Sequence, residues 1–167
     1  MTIQSACERA LLLIQERAPL RKVLAHLASS AEELCERQIV ASILVLDAEG
    51  LLRNGASPNL PPDYLTAIDR LKPHAEVGTC AAAAATGEIV VTPDFLHDKR
   101  WAELKHLPLA LGFRGAWSMP IKDAEGRVLG TFGSYFREAR QPNDHEREVV
   151  RHLAPLAANA IASCEAA

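Results

Sequence analysis

Several things are scarce in this 167-residue chain, and each scarcity narrows what it can be. Aromatic residues make up only 5% of it, so any core must be built mainly from Leu, Ala, Val and Ile. There is no excess of positive charge: the formal net charge is -3, without the basic footprint that nucleic-acid binding requires. Runs of like charge long enough to act as a tail are missing too. No stretch approaches the roughly 20 consecutive apolar residues that span a bilayer, and Glu8 and Arg9 interrupt the apolar N-terminal stretch, which has no basic leader. The four cysteines, Cys7, Cys35, Cys80 and Cys164, form no CxxC pair, which argues against a disulfide framework and a zinc site. Together these absences lead us to expect a cytoplasmic protein that partners neither nucleic acid nor membrane.

What is present is enough for one domain with one sizeable core, since 49% of the residues are hydrophobic. Helical spacing of Ala6, Cys7, Ala10, Leu13 and Ile14 predicts a helix over Ile3 to Gln15, closed by Pro19. A second amphipathic pattern follows from Leu20 to Cys35. At Ile39 the period changes. IVASILVLD reads as a strand covered on both faces, Ala48-Glu49-Gly50 as a turn, and LLRNGAS as its return strand. PDYLTAIDRL predicts a short helix, because proline is tolerated in a first turn. In EVGTCAAAAATGE, Thr79 is the expected N-cap and Gly87 the expected C-cap of a helix of small residues. IVVTPD is a strand, and Asp98 caps a helix interrupted at Pro108. GAWSMPI and VLGTFGSYFRE form a second hairpin. Asn143 and Glu146 make a capping box for a final helix in which Val149, Val150, Leu153, Leu156, Ala157, Ala160 and Ile161 form the apolar stripe and Pro155 should introduce a bend. Hairpins with helices clustered at the two ends of the chain predict an α+β fold.

The ordered set ASILVLDAEG, VGTC-alanines-TGE, HDKRW, and LGFRGAWSMPI with GRVLGTFGSYFRE resembles a bacterial GAF domain of the kind found in sensor kinases and regulators, over Leu20 to Ala162. The resemblance implies a five- to six-stranded antiparallel sheet with the terminal helices on one face and a ligand pocket on the other. It divides the chain into an N-terminal helix at 1–19, for dimerisation and signalling, and a GAF domain at 20–165. It implies a homodimer through the terminal helices, and an output domain or a partner kinase or regulator of two-component type. Two departures from the family pattern bear on the pocket: Ala81 stands where Gly is common, and Thr92-Pro93-Asp94 where an acidic pair is common.

A pocket in such a fold lies between the alanine helix and the strands Ala116–Ile121 and Leu129–Tyr135. Some relatives bind nitrate through backbone amides at a helix start and on a strand with an x-Pro-Ile sequence, and Met119-Pro120-Ile121 is similar to that strand. The free amides and positive dipole end near Thr79–Ala82 favour a small anion, while the alanines also suit simple close packing of helix on sheet. The candidate ligand-binding residues are therefore Cys80, Ala81, Ala82, Trp101, Trp117, Met119, Pro120, Ile121 and Thr131. Alternation places Trp117, Met119 and Ile121 on one face of their strand and Ala116, Ser118 and Pro120 on the other; either set could meet the ligand. Cys80 is open to two readings, a thiolate favoured by a helix start or a small buried hydrophobe.

The expected function is small-ligand sensing without catalysis, with no cofactor named. A ligand-free dimerisation module is the alternative. Cysteine-dependent reduction of methionine sulfoxide, which some relatives perform, needs a second cysteine near Cys80, and LALGFRGAWSMPI supplies none. His97 and His106 fall near the expected pocket rim, but no HExxH, nucleophile elbow or phosphate loop occurs.

Overall fold

The computed structural model describes residues 1–166 of the chain, with side chains through Cys164. Two helices come first, α1 (Ile3–Gln15) and α2 (Leu20–Leu34). The hairpin of β1 (Val40–Leu46) and β2 (Leu52–Ala56) leads to α3 (Pro62–Ile68), α4 (Cys80–Thr86) and β3 (Val90–Thr92). A turn of 3-10 helix (Lys99–Trp101) and α5 (His106–Ala110) precede the second hairpin, β4 (Gly115–Lys122) and β5 (Val128–Phe136), and α6 (Asp144–Ala166) closes the chain. The five strands form one antiparallel sheet in the order β2-β1-β5-β4-β3.

One face of that sheet is covered by α2 and α6, and α1 packs across those two helices. Buried Ala6, Ala10 and Leu13 of α1, Leu24 and Leu27 of α2, and Val150, Leu153 and Ile161 of α6 pack with Ile43, Trp117, Ile121, Phe132 and Phe136 in one cluster. The small residues where the helices meet let α1 settle closely on α2 and α6, so it is part of the same core as the rest. The other face carries separate, smaller clusters made with α3, α4 and the 3-10 turn. Cross-strand rows fix which side chains go where. Val40, Tyr135 and Ala116 form one row on this second face; Ser42, Gly133 and Ser118 form the next, and Leu44, Thr131 and Pro120 the third.

Two local expectations are corrected by the structure. Thr79 precedes α4 but makes no side-chain cap, because its hydroxyl is drawn into a buried network described below. Pro108 does not interrupt a helix. It lies in the first turn of α5, where its missing N–H has no intrahelical partner to lose, and the break falls earlier, between Trp101 and His106. By contrast, Gly87 closes α4 in the left-handed conformation with φ 70°. The capping box at α6 forms as the spacing requires, with Glu146 N–H donating to Asn143 Oδ1 at 2.8 Å and Asn143 N–H to Glu146 Oε1 at 2.9 Å. The α6 helix runs on through Pro155 to Ala166.

Candidate functional site

On the second face of the sheet, α3, the start of α4 and the 3-10 turn enclose a chamber floored by β1, β5 and β4. Its walls are Leu44, Tyr64, Ile68, Leu71, Trp101, Leu104, Leu107, Ala116 and Tyr135, with Gly78, Thr79, Cys80 and Gly133 at one end. None of the lining residues carries a charge. The free volume is about 20 Å³, room for roughly one water molecule. The side chains that fill it are Tyr64, Trp101 and Tyr135, supported from behind by Phe95 and Phe113. Phe95 meets Trp101 edge-on at 4.6 Å between ring centroids, and Tyr64 meets Tyr135 edge-on at 5.8 Å, geometries that the ring quadrupoles favour.

Two buried hydroxyl networks tie the cover to the floor. The Tyr64 and Tyr135 hydroxyls lie 2.7 Å apart, and burial, the largest cause, pushes both phenols above their ordinary pKa. At the other end Trp101 Nε1–H donates to Thr79 Oγ1 at 2.8 Å, and Thr79 Oγ1 shares a 2.8 Å hydrogen bond with Thr92 Oγ1. That is where the Thr79 side chain goes instead of capping α4. The 3-10 turn, the start of α4 and β3 thus meet at a single hydroxyl.

Cys80 sits where α4 presses on the sheet. A Cβ placed on Gly133 would lie 3.0 Å from its sulfur, so the glycine makes room for the thiol. The neighbouring Ser118 and Thr131 are fully buried, and their hydroxyls have no hydrogen-bond partner of good geometry, although both favour the thiolate of Cys80. Burial outweighs them and raises the Cys80 pKa. The helix start does not make this a reactive thiolate. The other three cysteines lie on α1, at the end of α2 and on α6, across the sheet from Cys80. Burial, with the Glu146 carboxylate adding to it and Arg140 opposing, pushes Cys35 up to about 12. In native protein at pH 8, a thiol reagent such as DTNB should therefore modify exposed Cys164 first, the half-buried Cys7 and Cys80 more slowly, since Cys80 faces only the closed chamber, and Cys35 only as the protein opens. Peptide mass mapping of the labelled protein checks this; labelling of Cys80 at the rate of Cys164 would mean an open chamber.

Of the residues singled out from sequence, the structure brings Cys80, Trp101 and Trp117 to the lining of the chamber and Thr131 beneath Cys80. Ala81 and Ala82 are buried between α4 and its neighbours, and Pro120 lies in the row beside Thr131 without lining the cavity. Met119 and Ile121 belong to the opposite face, and so does the ring of Trp117, although Trp117 also borders the chamber. They pack against the terminal helices, with the Arg147 guanidinium 5.8 Å from the Trp117 ring centroid. The strand alternates as expected, but the set that meets the chamber is the one containing Ala116 and Ser118. Sequence reasoning misses Tyr64, Tyr135 and Thr79. A signal is available, because the chain has only two tyrosines and both are here.

The profile of the GAF domain family matches residues 17–162. The chain belongs to the GAF family. A methyl sulfide methyltransferase-associated sensor of Methanosarcina acetivorans is 34% identical to this GAF domain over 160 residues, or 95% of the chain, which spans 16% of that relative's length. The GAF domain of a phosphoenolpyruvate-protein phosphotransferase from Coxiella burnetii superposes with a TM-score of 0.78 at 18% identity, covering 98% of this chain and 95% of that one. Free methionine-R-sulfoxide reductase from Neisseria meningitidis shares the fold with a TM-score of 0.70 at 16% identity, covering 98% and 90%. Among the described residues, no helix is long and apolar enough to cross a membrane, and no group of His, Cys, Asp and Glu is arranged to hold a metal ion.

Proposed function

We propose that this GAF domain is a cytoplasmic, non-enzymatic sensor whose chamber takes a small, predominantly apolar and uncharged ligand. The observation that carries the reading is the chamber itself, an aromatic and aliphatic enclosure without a charged wall and with buried hydroxyls at both ends. A ligand entering it displaces the Tyr64 and Trp101 cover, and that displacement is what distinguishes the occupied state. Occupancy passes through the sheet to α1, α2 and α6, and from there to an output domain, a partner kinase or regulator, or a second copy of the chain in a homodimer. The resemblance to a named sensor supports this assignment.

A small anion such as nitrate is the second chemistry. It is favoured by the N–H groups of Cys80, Ala81 and Ala82, which find no backbone acceptor at the start of α4. Against it stands the absence of any cation among the lining residues. The dimerisation platform is favoured by the 20 Å³ of free volume, far below the several hundred cubic ångströms of ordinary ligand pockets.

A thermal-shift screen separates these readings. Its arms are nitrate and nitrite, dimethyl sulfide and small aromatics, amino acids, nucleotides, and haem. A ligand that binds only the native state adds about 2.7 kcal/mol at a hundredfold excess over its Kd. We expect a shift from the neutral arm that disappears in Ala116→Leu, which fills the chamber. A shift confined to nitrate or nitrite moves the assignment to the anion. No shift from any arm, or one that survives Ala116→Leu, removes the chamber as a sensor site.

A further inference from the structure

Glu32 is the most deeply placed carboxylate of α2, only 3% exposed, and no cation pairs with it among the described residues. Burying such a group is costly unless hydrogen bonds compensate, and each of its oxygens is taken by a different part of the fold. Oε2 accepts the Ala41 N–H of β1 at 3.0 Å. Pairing of β1 with β2 begins only at Ile43, so this N–H lies beyond the end of that ladder. Oε1 accepts Asn59 Nδ2–H at 2.6 Å. Asn59 stands in the turn after β2, directly before Leu60, which is buried in the cluster of Tyr64, Phe95 and Trp101 that closes the chamber. One carboxylate on a helix of the signalling face is thus bonded to the entry of the chamber cover.

The backbone next to it is strained. The link from α2 to β1 passes through Glu36 and Arg37 at φ 56° and 58°, a conformation uncommon for residues other than glycine. Such strain persists only where the surroundings impose it. The Arg37 N–H donates to the Glu32 carbonyl at 2.7 Å and the Glu36 N–H to the Glu33 carbonyl at 3.1 Å, the pair of bonds that closes α2, so the main chain of Glu32 holds one end of this link and its side chain the other.

We propose that Glu32 is a coupling residue: through Asn59 it makes the position of the chamber cover a determinant of the α2–β1 link, and hence of the signalling helices. The proposal rests on the sensor reading for its purpose, but its geometry does not depend on which ligand binds. When the cover moves, Asn59 moves with Leu60, Glu32 gives up one hydrogen bond, and the strained link is released. Two arrangements of one hydrogen-bonded element, biased from the chamber, are what transmission between sites requires.

The test is amide hydrogen exchange on the 167-residue protein, read at Arg37 and Ala41, whose N–H groups Glu32 holds. Trp101→Ala loosens the cover, and indole serves as the probe that refills the space. In the native background we expect Trp101→Ala to speed exchange at these two amides by about tenfold, within the range of coupling between groups in one network, and indole to reverse it. In an Asn59→Ala background, Trp101→Ala should change the same amides less than about twofold. A merely structural role for Asn59 gives additive effects, equal acceleration in both backgrounds, and that overturns the proposal. So does acceleration of the cover amides in Trp101→Ala with Arg37 and Ala41 unchanged. Asn59→Ser, which keeps a polar side chain too short to reach Glu32, provides the same comparison should Asn59→Ala fail to fold. A ligand screen without hits would remove the sensor reading and leave this measurement standing, since indole acts as the occupant.

Discussion

Replacing Arg140 by alanine should destabilise the domain by about 3–5 kcal/mol at neutral pH, the cost of leaving a buried ion without its partner. Glu146 is 3% exposed and receives Arg140 through two hydrogen bonds, at 2.7 and 2.9 Å. The guanidinium also lies 4.0 Å from the centroid of the Phe136 ring, so the substitution removes a cation–π attraction as well. The pH dependence identifies the cause. In the native protein burial pushes the Glu146 pKa up, but the Arg140 hydrogen bonds and the Asn143 N–H together hold it below its ordinary value. Its contribution to stability is therefore fully present above the ordinary carboxylate pKa and lost as pH falls through the lower folded value. Without Arg140, burial dominates and the folded pKa rises above the unfolded one. The sign reverses: the penalty is absent in acid and grows as pH rises past about 4.3. Urea denaturation at pH 4 and pH 7 checks this. Arg140→Ala should be much closer to the native protein at pH 4, and a deficit equal at both values would show that poorer packing, not charge, was responsible.

Trp101→Ala should cost about 3–5 kcal/mol as well, for a different reason. The indole is 5% exposed, packs edge-on against Phe95 and donates its N–H to Thr79. Its removal leaves a space that the 3-10 turn can only partly close, and takes a donor from the hydroxyl joining α4 to β3. The space created is continuous with the chamber and walled by Tyr64, Leu104 and Leu107. Apolar cavities of this kind stay dry and bind aromatic molecules of matching size. Added indole should therefore raise the melting temperature of the variant and leave the native protein, in which Trp101 occupies the space, unchanged. Stabilisation of both proteins alike would place the indole site elsewhere. No recovery in the variant would mean that the cover collapses and that the chamber has no shape of its own.

Both predictions turn on residues that the sequence makes visible only in part. Asn143 and Glu146 carry a spacing that announces a helix start, yet nothing in the spacing says that Arg140, six residues before Glu146, folds back onto it. The motif HDKRW makes Trp101 a candidate, but its partner Thr79 is 22 residues away, at a position whose local pattern points to a cap. The helices and strands themselves are legible because they depend on local periods. Ala6, Ala10 and Leu13 repeat at helical spacing in α1, and the apolar run through Val40 to Leu46 is short and β-branched enough to be a strand covered on both sides. The antiparallel sheet with helices from both chain ends on one face follows from those elements and from the family they resemble.

Which face of a strand meets the chamber is a different kind of fact. Alternation along β4 sorts Trp117, Met119 and Ile121 from Ala116, Ser118 and Pro120, but it is symmetric between the two faces. Only the packing of α6 on one side and of α3 and α4 on the other breaks that symmetry. The large apolar set goes to the terminal helices, where the broad surface that α2 and α6 present to the sheet needs filling. The small set goes beneath α4, where Cys80 and the alanines come close to the strands. The closed state of the chamber is likewise a tertiary fact. It depends on Tyr64 and Tyr135, 71 residues apart, meeting at 2.7 Å. The sequence by itself determined the elements, their order and the family, since each is written in neighbouring residues. The tertiary structure decided which side chains share a face and how much space they leave, because those depend on packing between segments that no local pattern joins.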